Sequence, residues 1–286
     1  MKNSILIKVG LFLFAIFLIA PFTFLKPAGI VQAIDPLPIE KVEKIKTNVT
    51  AATNPKKTVK RKLEKPLHNV NLPDFSAIEN INAKKKLFFN FIKPVIVNQN
   101  KKLLTIRAKL NSWMEKVTLE LPLNKQERSE LTQLVKKYEV NRNASLLTKL
   151  NALLLRVDII PLPLVLVQAA NESAWGTSRF SRVGLNFFGI WCYEEGCGMV
   201  PGGRIIGEKH EVEAFSSLEE AVTRYFDNIN TNNAYSVFRT IRAELRLQEQ
   251  KLNPAVLATG LLPYSERGVD YVNEITNMLR HNQKYF

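Results

Sequence analysis

The sequence predicts a mainly α-helical domain that carries one small β-hairpin. Apolar residues recur every three or four positions in several segments after Lys84, which is the spacing of helices with one buried face. Helix-capping residues precede some of these segments. One stretch, Cys192–Phe215, is instead rich in glycine and contains short alternating runs. With 286 residues, 46% of them hydrophobic, the chain is long enough to bury a sizeable core.

Residues 1–33 have the pattern of an export segment. Lys2 and Lys8 precede an uncharged, very apolar run of 17 residues, Val9–Leu25. This order is typical of a signal peptide, and Ala33 offers a cleavage site. A membrane-spanning helix needs roughly 20 apolar residues, so an uncleaved anchor in the inner membrane is the alternative. Both interpretations place the later residues outside the cytoplasm, in the periplasm or cell envelope.

Residues 34–83 have the composition of a linker. They contain five prolines, many lysines and a single aromatic residue, so they offer little apolar surface for a core. The predicted organisation is therefore an export segment, this linker and a helical domain over 84–286. Within that domain, residues 84–150 form an N-terminal extension and residues 151–286 form the central part.

The charge balance is strongly basic. The chain has 40 Lys and Arg against 26 Asp and Glu, a formal charge of +14. Such an excess favours a polyanionic partner or surface, although part of it is confined to the linker. The sequence lacks the interleaved basic and aromatic strand motifs of nucleic-acid-binding domains. Because export also argues against such a partner, we predict no binding to nucleic acid.

Helical periodicity begins at Lys84, and Pro94 predicts a kink in the first helix. Asn124 is expected to cap a helix over Lys125–Tyr138, with Glu127 completing a capping box. The later predicted helices are Ser145–Val157, a helix that begins with the apolar run Leu164–Ala170 and ends at Trp175–Gly176, Leu218–Asn230 after Ser216 or Ser217, Ala234–Leu247, Pro254–Thr259 and Val269–Asn282.

The glycine-rich stretch predicts the β-hairpin. Arg204–Ile206 and Glu211–Phe215 alternate in polarity, and the turn is expected near Pro201–Gly203. The two cysteines of the chain, Cys192 and Cys197, lie in the same stretch. Two thiols and three scattered histidines do not make a four-ligand metal site. In an exported protein the cysteine pair favours a small local disulfide.

One carboxylate stands at the end of an unusually apolar helix. Leu164–Ala170 is apolar all round, which is typical of a buried helix, and Glu172 follows two residues after its end. Burial raises the pKa of a carboxylic acid, as a general acid working near neutral pH requires. From apolarity alone, an ordinary solvent-facing glutamate at a helix end remains the alternative.

Four motifs follow one another in the second half of the chain: Gln168–Phe180, Asn186–Ile190, Phe215–Tyr225 and Gly260–Tyr271. Together they resemble the motifs of the bacterial glucosaminidase family, which includes flagellar and autolysin-type cell-wall hydrolases. The resemblance is greatest to the branch called Bax proteins, which are unrelated to the apoptosis regulator of that name. It covers about residues 150–286, with weaker similarity from about residue 84.

The resemblance implies a lysozyme-like fold in which the hairpin forms a small β-lobe beside a helical lobe. It also implies cleavage of peptidoglycan glycan strands at the β-1,4 bond on the reducing side of N-acetylglucosamine. Glu172 matches the family's general acid, and Tyr264 matches a catalytic-site tyrosine near the reacting sugar. The residues expected to bind substrate are Trp175, Asn186, Phe188, Tyr235 and Tyr271, with a purely structural role as the alternative for the first three.

A second catalytic carboxylate is expected from the β-lobe, where the family varies in its position. Glu195 is the first candidate and Glu194 the second, because both precede the predicted turn. The other candidates are Glu208, Glu211 and Glu213, and the alternative for each is a solvated charge. A Cys192–Cys197 disulfide would hold the first two in place.

Three functions remain open at this point. In a hydrolase, either the β-lobe carboxylate activates water or the acetamido group of the substrate attacks, and neither route needs a metal or organic cofactor. A lytic transglycosylase would use the same acid without water. A cell-wall-binding module that has lost catalysis is the third alternative.

Overall fold

The computed structural model describes residues 64–286 except 203, 205 and 206, and it confirms the predicted mainly α fold class. The helices described are α1 Ile81–Thr118, α2 Lys125–Lys137, α3 Leu146–Arg156, α4 Leu162–Glu172, α5 Arg179–Gly184, α6 Leu218–Thr231, α7 Ser236–Leu247, α8 Pro254–Ala258 and α9 Val269–His281. The strands are β1 Trp191–Cys192, β2 Gly198–Met199 and β3 Glu211–Glu213. Short 3₁₀ helices cover Phe75–Ala77, Asn233–Tyr235, Thr259–Tyr264 and Gln283–Tyr285.

The predicted export segment lies outside the described residues, as does most of the predicted linker. Whether residues 1–33 are cleaved or retained therefore stays a prediction. From residue 64 onwards, none of the described helices is both long and apolar enough to cross a membrane.

Capping residues explain where several helices begin. Asn124 and Glu127 form the predicted capping box at the start of α2. Ser145 and Ser217 accept hydrogen bonds from backbone amides in the first turns of α3 and α6. These starts were therefore predictable from single polar side chains.

The first helix is a single 38-residue element that continues through Pro94. It begins at Ile81 because the Asn80 side chain caps it, three residues before the predicted start. It packs against α3, α4 and α6, so the predicted extension and central part share one hydrophobic core. Its buried residues include Phe88, Phe89, Ile92, Ile96, Leu103, Leu110 and Trp113.

The described end of the predicted linker packs against the helical domain, so tertiary contacts begin before the predicted boundary at residue 83. Phe75 is buried against Gly176, where an added Cβ would come within 2.4 Å of the Phe75 ring. The backbone N–H of Leu67 donates to the Val183 carbonyl at 2.8 Å. Linker-like composition hid this packing because one buried aromatic ring anchors an otherwise polar segment.

Helix α5 was missed by the sequence analysis. It has only six residues, which is too short for helical periodicity to show, and the Ser178 side chain caps it. Its residue Val183 forms a small separate core with Met199 of β2 and Val212 of β3. The helix therefore packs against the sheet and supports the β-lobe.

The β-lobe is a three-stranded antiparallel sheet in the order β1-β3-β2, which corrects the predicted two-arm hairpin. Trp191 of β1 lies opposite Val212 of β3, so the strand nearest the cysteines pairs with the last strand. Arg204, predicted to lie in a strand, instead lies in the connection between β2 and β3. There its guanidinium group is 3.6 Å from the buried carboxylate of Glu211. This tertiary ion pair overrides the local alternation of polarity.

Candidate active site

Helix α4 places Glu172 at the edge of the core. All of its residues from Leu164 to Ala170 are fully buried, whereas Glu172, its last residue, is half-buried. The helix ends there because Ser173 turns the chain, with its hydroxyl donating to the Ala169 carbonyl at 2.6 Å. The same hydroxyl accepts from the Gly176 amide at 2.8 Å. A carboxylate is thus fixed where a buried helix reaches the surface.

Burial raises the pKa of Glu172 above its ordinary value. The negative charge of Glu274 acts in the same direction, whereas hydrogen bonding to Tyr271 and Asn171 and the charge of Arg267 act in the opposite one. The carboxyl group therefore keeps its proton to a higher pH than an exposed glutamate would. A proton donor of this kind can act as a general acid near neutral pH.

Three of the predicted tyrosines form a cluster beside Glu172. The rings of Tyr264 and Tyr271 are stacked, with centroids 5.5 Å apart and planes 7° from parallel. The ring of Tyr235 is 5.9 Å from that of Tyr264. Burial raises the pKa of all three, and the charge of Glu172 adds to each increase. Their hydroxyl groups therefore remain neutral and can donate hydrogen bonds.

A fourth tyrosine and a glutamine connect this cluster to α4. The buried amide of Gln168 lies one helical turn before Glu172 and donates to the Tyr271 hydroxyl at 2.9 Å. The Tyr225 hydroxyl donates to the Gln168 amide oxygen at 2.5 Å. No role in the site was predicted from the sequence for Gln168 or Tyr225. The signal available was Gln168 itself, the one polar side chain in the apolar run of α4.

Asn186 organises the loop that faces Glu172, which is the structural role given above as the alternative to substrate binding. Its amide nitrogen donates to the carbonyls of Ile190 and Glu213, both at 2.8 Å. Its amide oxygen accepts from the backbone N–H groups of Phe188 and Ile190 at 3.3 and 3.0 Å. Both donors and both acceptor positions are thus occupied, which leaves the buried side chain none for a sugar.

The loop brings a glycine up to the acid. Gly189 has φ +64°, and a Cβ at this position would lie 3.4 Å from the Oε2 atom of Glu172. Because no side chain is present there, one side of the carboxyl group stays open. The Tyr264 hydroxyl donates to the neighbouring Phe188 carbonyl at 2.7 Å, which ties the loop to the tyrosine cluster.

The two other aromatic candidates pack within the protein. The Phe188 side chain is 1% exposed and stacks on Tyr225, with centroids 4.3 Å apart. The Phe188 ring therefore has almost no exposed surface on which a sugar could stack. Trp175 packs edge-on against Phe88 and Phe89 of α1. For both residues, the structural alternative describes the contacts seen.

The β-lobe carries a braced loop next to its first strand. A disulfide joins Cys192 to Cys197, with 6.2 Å between their Cα atoms. Inside the loop, the buried carboxylate of Glu211 accepts from the backbone amides of Gly196 and Gly198 at 3.2 and 2.8 Å. These bonds lower the pKa of Glu211, so it remains charged as a structural anion. Glu211 is therefore committed to holding this loop.

Glu195 lies at the tip of this loop and is exposed. Within the described residues, neither its side chain nor that of Glu194 makes a hydrogen bond or ion pair, so the structure does not join them to Glu172. The Glu208 carboxylate lies 3.2 Å from the His210 ring, and that of Glu213 is ion-paired with Arg224 at 3.1 Å. Of the five carboxylates considered, Glu194 and Glu195 are the uncommitted pair.

The described residues contain no cluster of three or more His, Cys, Asp or Glu side chains arranged to hold a metal ion. The chemically active groups at the site are therefore a half-buried carboxyl group and neutral hydroxyls. Such a set can transfer protons and bind polyhydroxylated ligands.

Comparison with known proteins decides the family. A model of the glucosaminidase family, described as mannosyl-glycoprotein endo-beta-N-acetylglucosaminidase, matches residues 148–284. Protein bax of Escherichia coli (strain K12) is 35% identical over 216 residues, which cover 75% of each chain. This chain belongs to the glucosaminidase family. Its similarity to Protein bax confirms the branch inferred from the motifs, and no solved structure matches the chain.

The segment that matches the family model contains the whole candidate site. Glu172, the tyrosine cluster, the Asn186 loop and the β-lobe all lie within the segment that the glucosaminidase model matches. The helices α1 and α2 lie before that segment, yet α1 contributes to the same core. The glucosaminidase site is thus built on a scaffold larger than the family model covers.

Proposed function

We propose that this protein is a peptidoglycan hydrolase that cleaves the β-1,4 bond on the reducing side of N-acetylglucosamine, with Glu172 as general acid. One observation carries the proposal: a carboxyl group with a raised pKa emerges from a buried helix beside neutral tyrosines in a glucosaminidase-family chain. The substrate is the glycan strand of the cell wall. No cofactor enters the proposed reaction.

In the proposed reaction, Glu172 donates its proton to the glycosidic oxygen as the bond to the sugar breaks. Positive charge then develops on the sugar ring as an oxocarbenium-like species. Gly189 leaves room for the leaving oxygen beside the carboxyl group. Tyr264, Tyr271 and Tyr235 line the same side of the site. The neutral Tyr271 hydroxyl supplies a hydrogen bond to Glu172, and the Tyr264 and Tyr235 oxygens can accept hydrogen bonds from sugar hydroxyls.

The group that completes the reaction is proposed to come from the disulfide-braced loop or from the substrate. Glu195, with Glu194 as the second choice, is a β-lobe carboxylate free of internal partners among the described residues. A separation of roughly 5 Å from Glu172 would suit direct attack, and roughly 6.5–9.5 Å would leave room for water. If both Glu194→Gln and Glu195→Gln retain activity, attack by the acetamido group of the substrate is the supported route.

The proposed location follows from the substrate. A cell-wall hydrolase must act outside the cytoplasm, and the predicted export segment over residues 1–33 would deliver it there. If this segment is retained, it would also anchor the protein to the inner membrane.

Digestion of purified sacculi tests the proposal. The products are separated and their new ends identified by mass spectrometry. Reducing-end N-acetylglucosamine is the expected result. Anhydro-sugar ends would instead identify a lytic transglycosylase. Binding to sacculi without any release of fragments would identify a wall-binding module and would contradict the proposed hydrolase.

Gly189→Ala is expected to lower activity by at least about tenfold, because a methyl group would stand against the Glu172 carboxyl and displace the leaving oxygen. The positive φ of this residue also predicts a loss of about 1–2 kcal/mol in the free energy of unfolding. Specific activity per folded molecule separates the two effects.

The matched control is Gly207→Ala. Gly207 also has a positive φ, +99°, but an added Cβ there would have no neighbour within 4 Å. This variant should lose stability and keep its specific activity. Equal loss of specific activity in both variants would show that Gly189 acts only through backbone strain.

A further inference from the structure

We propose that Tyr225 is a positioning residue: by holding the amide oxygen of Gln168, it keeps the hydroxyl hydrogen of Tyr271 directed onto the carboxyl group of Glu172. The proposal deepens the proposed function, because Glu172 is the acid of that reaction. Its geometric basis is a chain of buried polar groups that runs from α6 through α4 to α9.

The orientation of the Gln168 amide follows from two distances. Its contact with the Tyr225 hydroxyl is 2.5 Å, within the range of O–H···O bonds and too short for an ordinary N–H···O bond. Its contact with the Tyr271 hydroxyl is 2.9 Å, the usual N–H···O length. The amide oxygen therefore faces Tyr225 and the amide nitrogen faces Tyr271.

This orientation determines where the Tyr271 hydrogen goes. The Tyr271 oxygen accepts the N–H of Gln168, so its own hydrogen cannot point at the amide nitrogen. Gln168 and Glu172 lie four residues apart on the same face of α4, so the Tyr271 hydroxyl that contacts Gln168 at 2.9 Å has the Glu172 carboxyl as its neighbouring acceptor. The lowering effect of Tyr271 on the pKa of Glu172 agrees with this placement. Bonds in such a chain also strengthen one another.

Tyr225 is well placed to fix the amide. Its ring is fully buried and stacks on Phe188 at 4.3 Å, so it cannot turn away. Burial raises the pKa of Tyr225 well above its ordinary value, so the hydroxyl keeps its hydrogen at all relevant pH values. The one hydrogen that it can donate is taken by the Gln168 oxygen.

The other groups that face Glu172 are already engaged. The Tyr264 hydroxyl donates to the Phe188 carbonyl at 2.7 Å. Hydrogen bonding to Glu172 involves Tyr271 and Asn171 but not Tyr235. The remaining charged groups near the acid are Arg267, just before α9, and Glu274 of α9, which pair with each other at 2.8 Å. Tyr271 is therefore the tyrosine with a hydrogen left for the carboxyl group.

Tyr225→Phe tests the proposal at a residue remote from the reacting sugar. Without the Tyr225 hydroxyl, the Gln168 amide is free to turn and accept the Tyr271 hydrogen through its oxygen. The Glu172 carboxylate then loses a donor, so its pKa should rise by about one unit. The alkaline limb of the pH–activity profile should move up by the same amount, as it should in Tyr271→Phe.

Two further variants distinguish a change in the direction of the Tyr271 hydroxyl hydrogen from a change in core packing. Gln168→Met removes both contacts and leaves Glu172 as the acceptor for Tyr271, so it should titrate like the wild type. The double variant Tyr225→Phe, Gln168→Met should therefore return to the wild-type profile. The matched control is Tyr138→Phe, because Tyr138 is fully buried and its hydroxyl has no partner within the described residues.

Two measurements read the outcome: the pH profile of glycan cleavage, and the titration of Glu172 by NMR in resting protein with ¹³C-labelled glutamate. The NMR titration needs no activity, so it decides the inference even if the wild type does not cleave glycan and the proposed function fails. The inference is overturned if folded Tyr225→Phe titrates like the wild type. It is equally overturned if Gln168→Met shifts as far as Tyr225→Phe.

Discussion

Glu172→Gln is expected to reduce glycan cleavage by about 10³-fold or more, because glutamine keeps the shape of the side chain but has no proton to donate. Binding to sacculi should be retained, since the tyrosine cluster and the β-lobe are unchanged. The measurements are release of soluble muropeptides and co-sedimentation with sacculi. Cleavage at the wild-type rate would show that the general acid is a residue other than Glu172.

The same variant should not lose stability. Because burial raises the folded-state pKa of Glu172, its contribution to stability is complete below the unfolded-state pKa and is lost as pH rises through the folded-state value. Glutamine does not ionise, so at pH 8 the variant should melt at the same temperature as the wild type or higher. Below about pH 4, where the glutamate is protonated in both states, the difference should vanish.

A matched control separates the loss of this acid from the loss of any surface charge. Glu219 is an exposed residue in the first turn of α6. Glu219→Gln should keep both cleavage and melting temperature. If it lost cleavage as Glu172→Gln does, the effect would reflect the overall charge of the protein.

Asn186→Ala is expected to lower the free energy of unfolding by about 3–5 kcal/mol. The substitution would leave the backbone N–H groups of Phe188 and Ile190 and the Glu213 carbonyl without the Asn186 amide, and each unsatisfied buried group costs about 1–3 kcal/mol. The Ile190 carbonyl keeps its second donor, the Glu213 backbone N–H at 2.9 Å. Partial relaxation and entry of water keep the total below the simple sum. Chemical denaturation measures the loss.

The Asn186 variant should also impair activity per folded molecule, because the loop that carries Gly189 would lose its support. Asn151→Ala is the control, since Asn151 is exposed within α3 and a helix favours alanine. It should leave stability unchanged or slightly increased. A small effect of Asn186→Ala, below about 1 kcal/mol, would show that water replaces the amide fully.

Helix positions were predictable because local signals and packing agree in this chain. Asn124 with Glu127, Ser145 and Ser217 begin helices in the structure where their sequence patterns place them. The β-lobe was less predictable, because its strands have two or three residues each and are held by a disulfide and by the buried Glu211. Periodicity is undefined over so few residues, and tertiary contacts decide the pairing.

In the candidate site, too, some residues could be predicted from local sequence patterns and others could not. Glu172 was identifiable because its apolar helix is itself a local pattern, and the motif resemblance added the tyrosines. Phe188 and Asn186 were harder to interpret, because a motif shows that a residue matters but not whether it faces the ligand or the core. Gln168 and Tyr225 act through partners on other helices, so their roles become visible once α4, α6 and α9 are placed together.

The packing of α1 has a practical consequence for the excision of the segment that matches the glucosaminidase family. A fragment cut at the edge of the family match, near residue 148, would leave Phe88, Phe89, Ile92 and the other inner residues of α1 behind. The faces of α4 and α6 that α1 now covers would become an exposed apolar surface prone to self-association. Recombinant versions should therefore start upstream of Phe75, so that the ring seated on Gly176 travels with the enzyme.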